Sequence, residues 1–419
     1  TPANDVYVNG STVSTTITGT TGGNFENLVP DTTPAVTTIS DSPDATGLTL
    51  TATGGITEGG QITYTATLTN PAGTPMTVTL SNGSVIVIEA GKTTGTVLVD
   101  TPANDVYVNG STVSTTITGT TGGNFENLVP DTTPAVTTIS DSPDATGLTL
   151  TATGGITEGG QITYTATLTN PAGTPMTVTL SNGSVIVIEA GKTTGTVLVD
   201  TPANDVYVNG STVSTTITGT TGGNFENLVP STSPAVTAIS DSIDTVTVTI
   251  ESNGDVLENA APKFTVKVDQ ELKQDLTVTL SNGDTVVIKA GTTSVPYELA
   301  AQGDDVYKDG QVVEVGIDNA TVDGKSFENL VLGDKAQVTI GDTLSEVVAT
   351  LSVDKTTVTE GGSVTYTVTL TNAAGLPMSN HGELTFKLSD GTTITVPANS
   401  TTGTATVVTS NDIFTGGQP

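Results

Sequence analysis

Gln61-Ile-Thr-Tyr-Thr-Ala-Thr-Leu68, then Asn70-Pro-Ala-Gly-Thr-Pro75, Met76-Thr-Val-Thr-Leu80, Ser81-Asn-Gly83 and Val85-Ile-Val-Ile88 make up the stretch that decides the fold. Apolar residues alternate with threonine at period two, the spacing of a half-buried strand. Asn82-Gly83 tolerates the positive φ of a type I′ turn, so the two runs around it read as a hairpin. Working outward, residues 48–53 form an earlier strand closed by Gly54-Gly55, and residues 93–99 form a later one after the break at Ala90-Gly91. Residues 112–118 and 135–139 complete the set, separated by a Gly-Gly-Asn-Phe-Glu loop. Helical periodicity is nearly absent. Seven short strands at this spacing predict an immunoglobulin-like β-sandwich.

The pattern repeats. Residues 1–100 and 101–200 are identical, and the copy continues from Thr201 through Pro230 before drifting. The strand assignment moves the frame of the folded unit away from Thr1. It predicts immunoglobulin-like domains at 45–144 and 145–244, and a divergent one at 245–344. Residues 1–44 then hold the last two strands of a domain, and 345–419 hold the first five of another. The fold class expected is all-β, a tandem array of seven-stranded sandwiches forming an extended, monomeric rod. Asn411-Asp412 echoes Asn104-Asp105, so both ends cut the same loop, and the chain reads as an excerpt of a longer array. The alternative is that the two half-domains complete each other between molecules. Verbatim copying over a hundred residues points to a spacer, because a catalytic domain gains little from it.

Charge narrows the partners. The chain carries 43 acidic and 11 basic residues, a formal net charge of −32. Phosphate recognition needs clustered lysine and arginine, so nucleic acid is excluded as a partner, and anionic lipid is disfavoured. No apolar run approaches membrane-spanning length, so no direct membrane insertion is expected. There is no cysteine and one histidine. A small secreted domain without disulfides needs another staple, and a hard cation held by carboxylates is the obvious one.

With strands alternating in direction, the loops after the first, third and fifth strands share one tip with the end of the seventh. The acids fall there. In 45–144 they are Glu58, Asn104, Asp105, Asp141 and Asp144; in 145–244, Glu158, Asn204, Asp205, Asp241 and Asp244. The divergent domain keeps Glu258, Asp304, Asp305 and Asp342, and the end segments keep Asp5, Asp41, Asp44, Glu360 and Asp412. Carboxylates crowded together repel unless a cation neutralises them. Oxygen ligands from separate loops suit Ca2+, whereas Zn2+ and copper want histidine or cysteine. Any one of these residues taken alone reads as turn chemistry; the set, placed beside the link Ser140-Asp-Ser-Pro-Asp144, reads as a site that locks a hinge.

The opposite tip carries Asn124-Phe125-Glu126-Asn127-Leu128, whose Phe125 is expected to pack against the preceding domain. Two roles remain open for Glu126: capping that interface, or reaching the neighbouring metal. Tyr107 sits at the corner where a tyrosine hydroxyl ties the backbone of a sandwich, and Tyr64 and Tyr164 point into the core. His381 has no partner pattern. No nucleophile–histidine–acid set, phosphate-binding loop or paired carboxylates in a cleft can be assembled, so no enzyme is expected.

Thr57-Glu-Gly-Gly-Gln-Ile-Thr-Tyr-Thr-Ala-Thr-Leu-Thr-Asn70, Asn104-Asp-Val-Tyr-Val-Asn-Gly110 and Gly122-Gly-Asn-Phe-Glu-Asn-Leu128 together resemble the repeat of giant RTX biofilm adhesins, the large adhesion proteins of Pseudomonas-type bacteria. The resemblance covers essentially the whole chain. It implies type I secretion, outer-membrane anchoring at the bacterial cell surface, and an extender of immunoglobulin-like domains stiffened by Ca2+ at their joints. The Glu-Gly and Asn-Asp loops are also similar to those of Calx-β domains, which implies calcium ligation by Glu58, Asp105 and Asp141. Asn104 stands where Calx-β domains often have aspartate. No glycine-rich RTX nonapeptide, adhesive tip or retention module is present, so the chain reads as the middle of such a protein.

The function expected is therefore a non-catalytic stalk, rigidified by Ca2+ and projecting an adhesive tip for surface attachment and biofilm formation. Its partners are neighbouring repeats and the other domains of the adhesin. The alternative is a direct binding module, in which sandwich loops grip glycan, ice or a host protein multivalently.

Overall fold

The structure, a computed structural model, describes residues 2–413, and every helix-or-strand element among them is a β-strand. Two compact units divide the chain. The first comprises Thr1–Ile156, Gly160–Thr201 and Thr212–Ala238; the second comprises Thr157–Gly159, Pro202–Ser211 and Ile239–Pro419.

In the first unit, strands β1 (Ser11–Thr15) and β2 (Ala35–Ile39) form an antiparallel pair in which Ser11 faces Ile39. A sandwich follows, built from β3 (Ala45–Ala52), β4 (Gly55–Thr57), β5 (Gln61–Leu68), β6 (Met76–Leu80), β7 (Val85–Ile88), β8 (Thr94–Asp100), β9 (Ser111–Thr115), β10 (Ile117–Gly122), β11 (Asn127–Pro130) and β12 (Ala135–Ser140). One sheet runs in the order β11-β3-β5-β8; against it lie β10-β6-β7 and β4-β12-β9. Strands β3 and β5 pair antiparallel with Leu48 opposite Leu68, and β5 and β8 with Gln61 opposite Asp100. Alternation sets the faces. Leu48, Ile62, Tyr64, Met76, Val78, Ile86 and Ile88 are buried between the layers, while Thr49, Thr51, Thr94 and Thr96 face outward. Each large apolar side chain so buried contributes roughly 1.5–3 kcal/mol. The second sandwich of this unit repeats the plan in the same register, with Leu148 opposite Leu168 and Gln161 opposite Asp200.

Three segments go beyond the seven strands read from the pattern. Gly55–Thr57 pairs parallel with β12, and Asn127–Pro130 pairs parallel with β3. The sixth strand breaks at Thr116, and Ile117–Gly122 continues alone against β6 with a register shift between Ile117 and Gly119. The hairpin turn also differs from the expected type I′. Gly83 takes a positive φ of 83° and Asn82 does not. The Gly83 N–H donates to the Leu80 carbonyl at 3.0 Å, and the Asn82 side chain accepts from the Ser84 N–H at 2.9 Å. This is a type I turn closed by a left-handed glycine, the geometry of the longer hairpin loop.

In the second unit the divergent sandwich is built from ten strands between Thr245 and Gly341. Its core centres on Val248, Phe264, Val266, Leu276 and Val278, all fully buried. Beyond it, Val347–Val353, Ser363–Asn372 and Thr402–Val408 form one sheet, and Leu384–Lys387 pairs with Thr393–Val396. Val368, Leu370, Ile394 and Val396 make a small core there.

One buried polar pair exposes the logic of the divergence. The Tyr64 hydroxyl, fully buried, lies 2.8 Å from the Thr115 Oγ1, and Tyr164 lies 2.9 Å from Thr215. In the divergent sandwich the same two positions are Phe264 and Val315, both buried. Losing one partner strands a buried polar group, whereas replacing both by apolar groups is nearly neutral. Thr115→Val alone should therefore destabilise its sandwich by about 1–3 kcal/mol, while Tyr64→Phe/Thr115→Val recovers most of the loss. Denaturant unfolding of the two variants checks this, and an additive double variant would contradict it.

Candidate metal centre

The tip of the first sandwich is laced together by backbone. The Glu58 N–H donates to the Ser140 carbonyl at 3.1 Å, Gly59 to Pro102 at 2.7 Å and Thr101 to Gly60 at 2.9 Å. Gly59 holds φ 72°, and a Cβ there would press on Asn104 at 3.4 Å. Three loops are thus fixed together, and Glu58 is carried under them with 6% of its surface exposed.

Glu58, Asp105 and Glu226 each offer a carboxylate oxygen, and the three oxygens lie within 4.8 Å of one another. Backbone donors orient them. Asp105 accepts from the Tyr107 N–H at 2.7 Å and from the Asn109 Nδ2 at 2.9 Å; Asp141 accepts from the Asn109 N–H at 3.1 Å. Glu226 belongs to the following sandwich and reaches back. Its Oε2 accepts from the Asp144 N–H at 2.9 Å, while its Oε1 is buried and has no hydrogen-bond partner among the described residues. The Glu58 Oε1 is in the same state. The capping role left open for Glu126 is seen at both positions, Glu126 accepting from the Asp44 N–H and Glu226 from the Asp144 N–H, and one Glu226 oxygen also lies in the acidic cluster.

The second tip repeats the construction. Glu158, Asp241 and Glu328 bring one oxygen each within 4.8 Å, Glu158 is 6% exposed, and Glu328 accepts from the Asp244 N–H at 2.7 Å. Both Glu158 oxygens and the Glu328 Oε1 are buried with no hydrogen-bond partner among the described residues. Asp205 accepts from the Tyr207 N–H at 2.8 Å. In the divergent tip the group is Glu258, Asp309 and Asp342. The Thr343 hydroxyl lies between Asp304 and the Glu258 Oε1, which share its one proton, and Asp305 accepts from the Tyr307 N–H.

Other predicted residues take supporting places. Asn104 and Asp144 are bonded to each other through their side chains, with the Ser142 hydroxyl donating to the Asn104 Oδ1 at 2.7 Å. Asn204 and Asp244 pair the same way at 2.7 Å. They tie the link to the tip and leave the converging oxygens to others. Near the start, Asp5 accepts from the Tyr7 N–H, Asp41 from the Asn9 N–H, and the Asp44 N–H donates to Glu126 at 3.0 Å. Toward the end, the Asp412 N–H donates to Glu360 at 3.4 Å. Asp309 was absent from the sequence reading, because Asp-Gly there looks like ordinary turn chemistry. Its signal was the change from Asn109 and Asn209 to aspartate in the one diverged copy.

Beside each cluster, aromatic rings close the joint. Tyr7 stacks on Phe125, Tyr107 on Phe225 and Tyr207 on Phe327, with centroids 6.0, 5.9 and 5.4 Å apart. The Tyr107 hydroxyl donates to the Pro171 carbonyl at 2.8 Å, and Tyr7 to Pro71 at 2.9 Å. The expected tie within its own sandwich is thus replaced by one to the next sandwich, because the ring lies over Phe225. Backbone joins in: Glu226 N–H donates to Val106 at 3.0 Å and Val108 N–H to Asn224 at 3.1 Å.

The donor set is all hard oxygen, with neither sulfur nor imidazole, which suits Ca2+ or Mg2+. Electrostatics agree that charge is in excess. The Asp144 N–H lowers the Glu226 carboxyl, but burial and the facing Glu58 and Asp141 outweigh it, and the net direction is upward. Burial raises Glu328 first, with Glu158, Asp244 and Asp241 adding to it against the Asp244 N–H. Burial likewise raises Asp309, helped by Asp305, Glu258 and Asp342. A carboxyl with a raised folded value adds stability below its unfolded value, and loses it as pH rises through the folded value. In chelator, the melting temperature should therefore increase on acidification from neutral toward the ordinary glutamate value of 4.5. Glu226→Gln/Glu328→Gln should flatten that increase in a pH series of thermal melts.

Matches to known proteins follow the same repeat. The LapA domain matches five successive segments, residues 1–42, 44–142, 144–242, 244–343 and 347–419. No curated protein matches the chain. A solved structure described as a tetra-tandem repeat in the extending region of a large adhesion protein is 16% identical, and the match covers 87% of this chain and 91% of that one. Its TM-score is 0.28, so that structure lends no geometry to this one. With five matched segments spanning nearly its whole length, the chain belongs to the LapA domain family.

Proposed function

We propose that this chain is a non-catalytic structural extender of a bacterial surface adhesin, in which Ca2+ bound at the joints between sandwiches stiffens a stalk. The observation that carries the reading is the placement of Glu226 and Glu328. Each belongs to one sandwich and offers an oxygen to the acidic tip of the sandwich before it. A cation taken up there binds the docked arrangement more tightly than the separated one, so ion binding and docking reinforce each other. Family membership supports the adhesin setting. In that setting the protein is exported by a type I system, held at the outer membrane, and carries an adhesive tip outward for surface attachment and biofilm formation.

Two measurements test the reading. A metal bound only by the folded form stabilises it by about 2.7 kcal/mol at a hundredfold excess over Kd, so millimolar Ca2+ should raise the melting temperature and chelator should lower it. Small-angle scattering should show a longer, stiffer particle in Ca2+ than in chelator. An identical scattering profile in both conditions would overturn the calcium-stiffened joint.

A further inference from the structure

The divergent tip departs from the other two in one respect. In the other two, among the described residues, Glu58 and Asp105 are joined by Glu226 of the next sandwich, and Glu158 and Asp241 by Glu328. Glu258, Asp309 and Asp342, all of the 245–344 sandwich, bring three oxygens within 4.8 Å, and the position that would match Glu226 and Glu328 one repeat on falls past residue 419. The third oxygen comes from amide-to-carboxylate changes at one position, Asn109 and Asn209 to Asp309.

Those changes reverse the local hydrogen bonding. Asn109 and Asn209 donate their Nδ2 to Asp105 and Asp205 at 2.9 and 3.1 Å, so each quiets a neighbouring carboxylate. Asp309 has no proton to give; it accepts from the Gln302 Nε2 at 2.7 Å and adds a negative charge. Asp342 is aimed by two backbone donors, Asp309 N–H at 2.9 Å and Gly310 N–H at 2.7 Å. Glu258 is 0% exposed. Its Oε1 takes the Thr343 N–H at 2.9 Å and the Thr343 hydroxyl at 2.6 Å, while its Oε2 is buried with no hydrogen-bond partner among the described residues. A fully buried carboxylate that keeps one oxygen without a donor and stands beside two further carboxylates is a configuration that a hard cation satisfies.

We propose that the tip of the 245–344 sandwich is a self-contained divalent-cation site, with Glu258, Asp309 and Asp342 as ligands, that loads whether or not the next sandwich is docked. This rests on reading the acidic tips as cation sites, and it assigns one of them a different behaviour. The first two sites bind in proportion to the docked population, which reduces their apparent affinity. The third is assembled from three loops of a single sandwich, and ligand charge and rigidity set calcium affinity. It therefore fills first and empties last, keeping an ion as calcium falls and the other joints loosen.

Calorimetric titration of the whole chain with Ca2+ tests this. The wild type should show a tighter class of one site and a weaker class of two. Asp309→Asn installs the residue that the other copies carry, so the fold should hold, and a thermal melt in chelator verifies that; Asp309→Ser is the second variant. Either should weaken the tight class at least tenfold and leave the weak class unchanged. Glu226→Gln/Glu328→Gln should do the reverse. A single class in the wild type, or an Asp309→Asn isotherm that overlays it, overturns this proposal while the calcium joints survive. No heat of binding and no calcium-dependent melting shift in the wild type overturns both.

Discussion

A buried carboxylate with an unmatched oxygen is the constraint around which these sandwiches are joined. Glu58, Glu158 and Glu258 each sit under the same three loops, held by backbone bonds, with oxygens that no donor in the described chain satisfies. Burial of an ionised group without a partner is expensive, so the tip is stable only if something positive arrives or the charge is lost. The positions of Asp105, Asp141, Asp241 and Asp342 follow from the same requirement, since the loops that cover the glutamate also deliver further acids to it. The apolar layers set where the loops are; the glutamate sets what the loops must do.

The joint combines three kinds of interaction whose strengths respond to different conditions. Ring stacking between Tyr107 and Phe225 is worth about 0.5–1.5 kcal/mol beyond the area it covers, and it is insensitive to ions. Backbone bonds across the joint, such as Glu226 to Val106, fix register but contribute about 1 kcal/mol each. The acidic cluster opposes docking through like-charge repulsion, and in the proposed reading a shared cation reverses that. The first two then define the geometry, and the third is where the proposed response to calcium would act. An exposed ion pair such as Lys263 with Glu298 adds little by comparison.

Much of this was legible in the residues. Period-two alternation in Gln61–Leu68 and Met76–Leu80 announced strands and placed Tyr64 inward, because that spacing admits few other structures. Gly55–Thr57 and Asn127–Pro130 were not legible: three and four residues are too short to show a period, and both pair parallel with partners about eighty residues away in sequence. The turn at Asn82-Gly83 was placed correctly and its type was not, because the flanking Ser81 and Ser84 lengthen the loop. Among the acids, Glu58, Asp105 and Asp141 could be grouped from strand direction alone. Glu226 could be only half understood, since its place beside Glu58 and Asp105 exists solely where the root of one sandwich meets the tip of another. Asp309 was not legible, because only the folded loops bring that turn residue beside a buried glutamate.

The central claim is that one cation is held jointly by Glu58 and Asp105 of one sandwich and Glu226 of the next. A crystal structure grown in calcium, with anomalous scattering used to locate the ion, tests it most directly. The account predicts a site at this joint with carboxylate oxygens of all three residues about 2.3–2.6 Å from the metal. An ordered joint with these carboxylates bonded only to water or to each other, and the ion elsewhere, would contradict it.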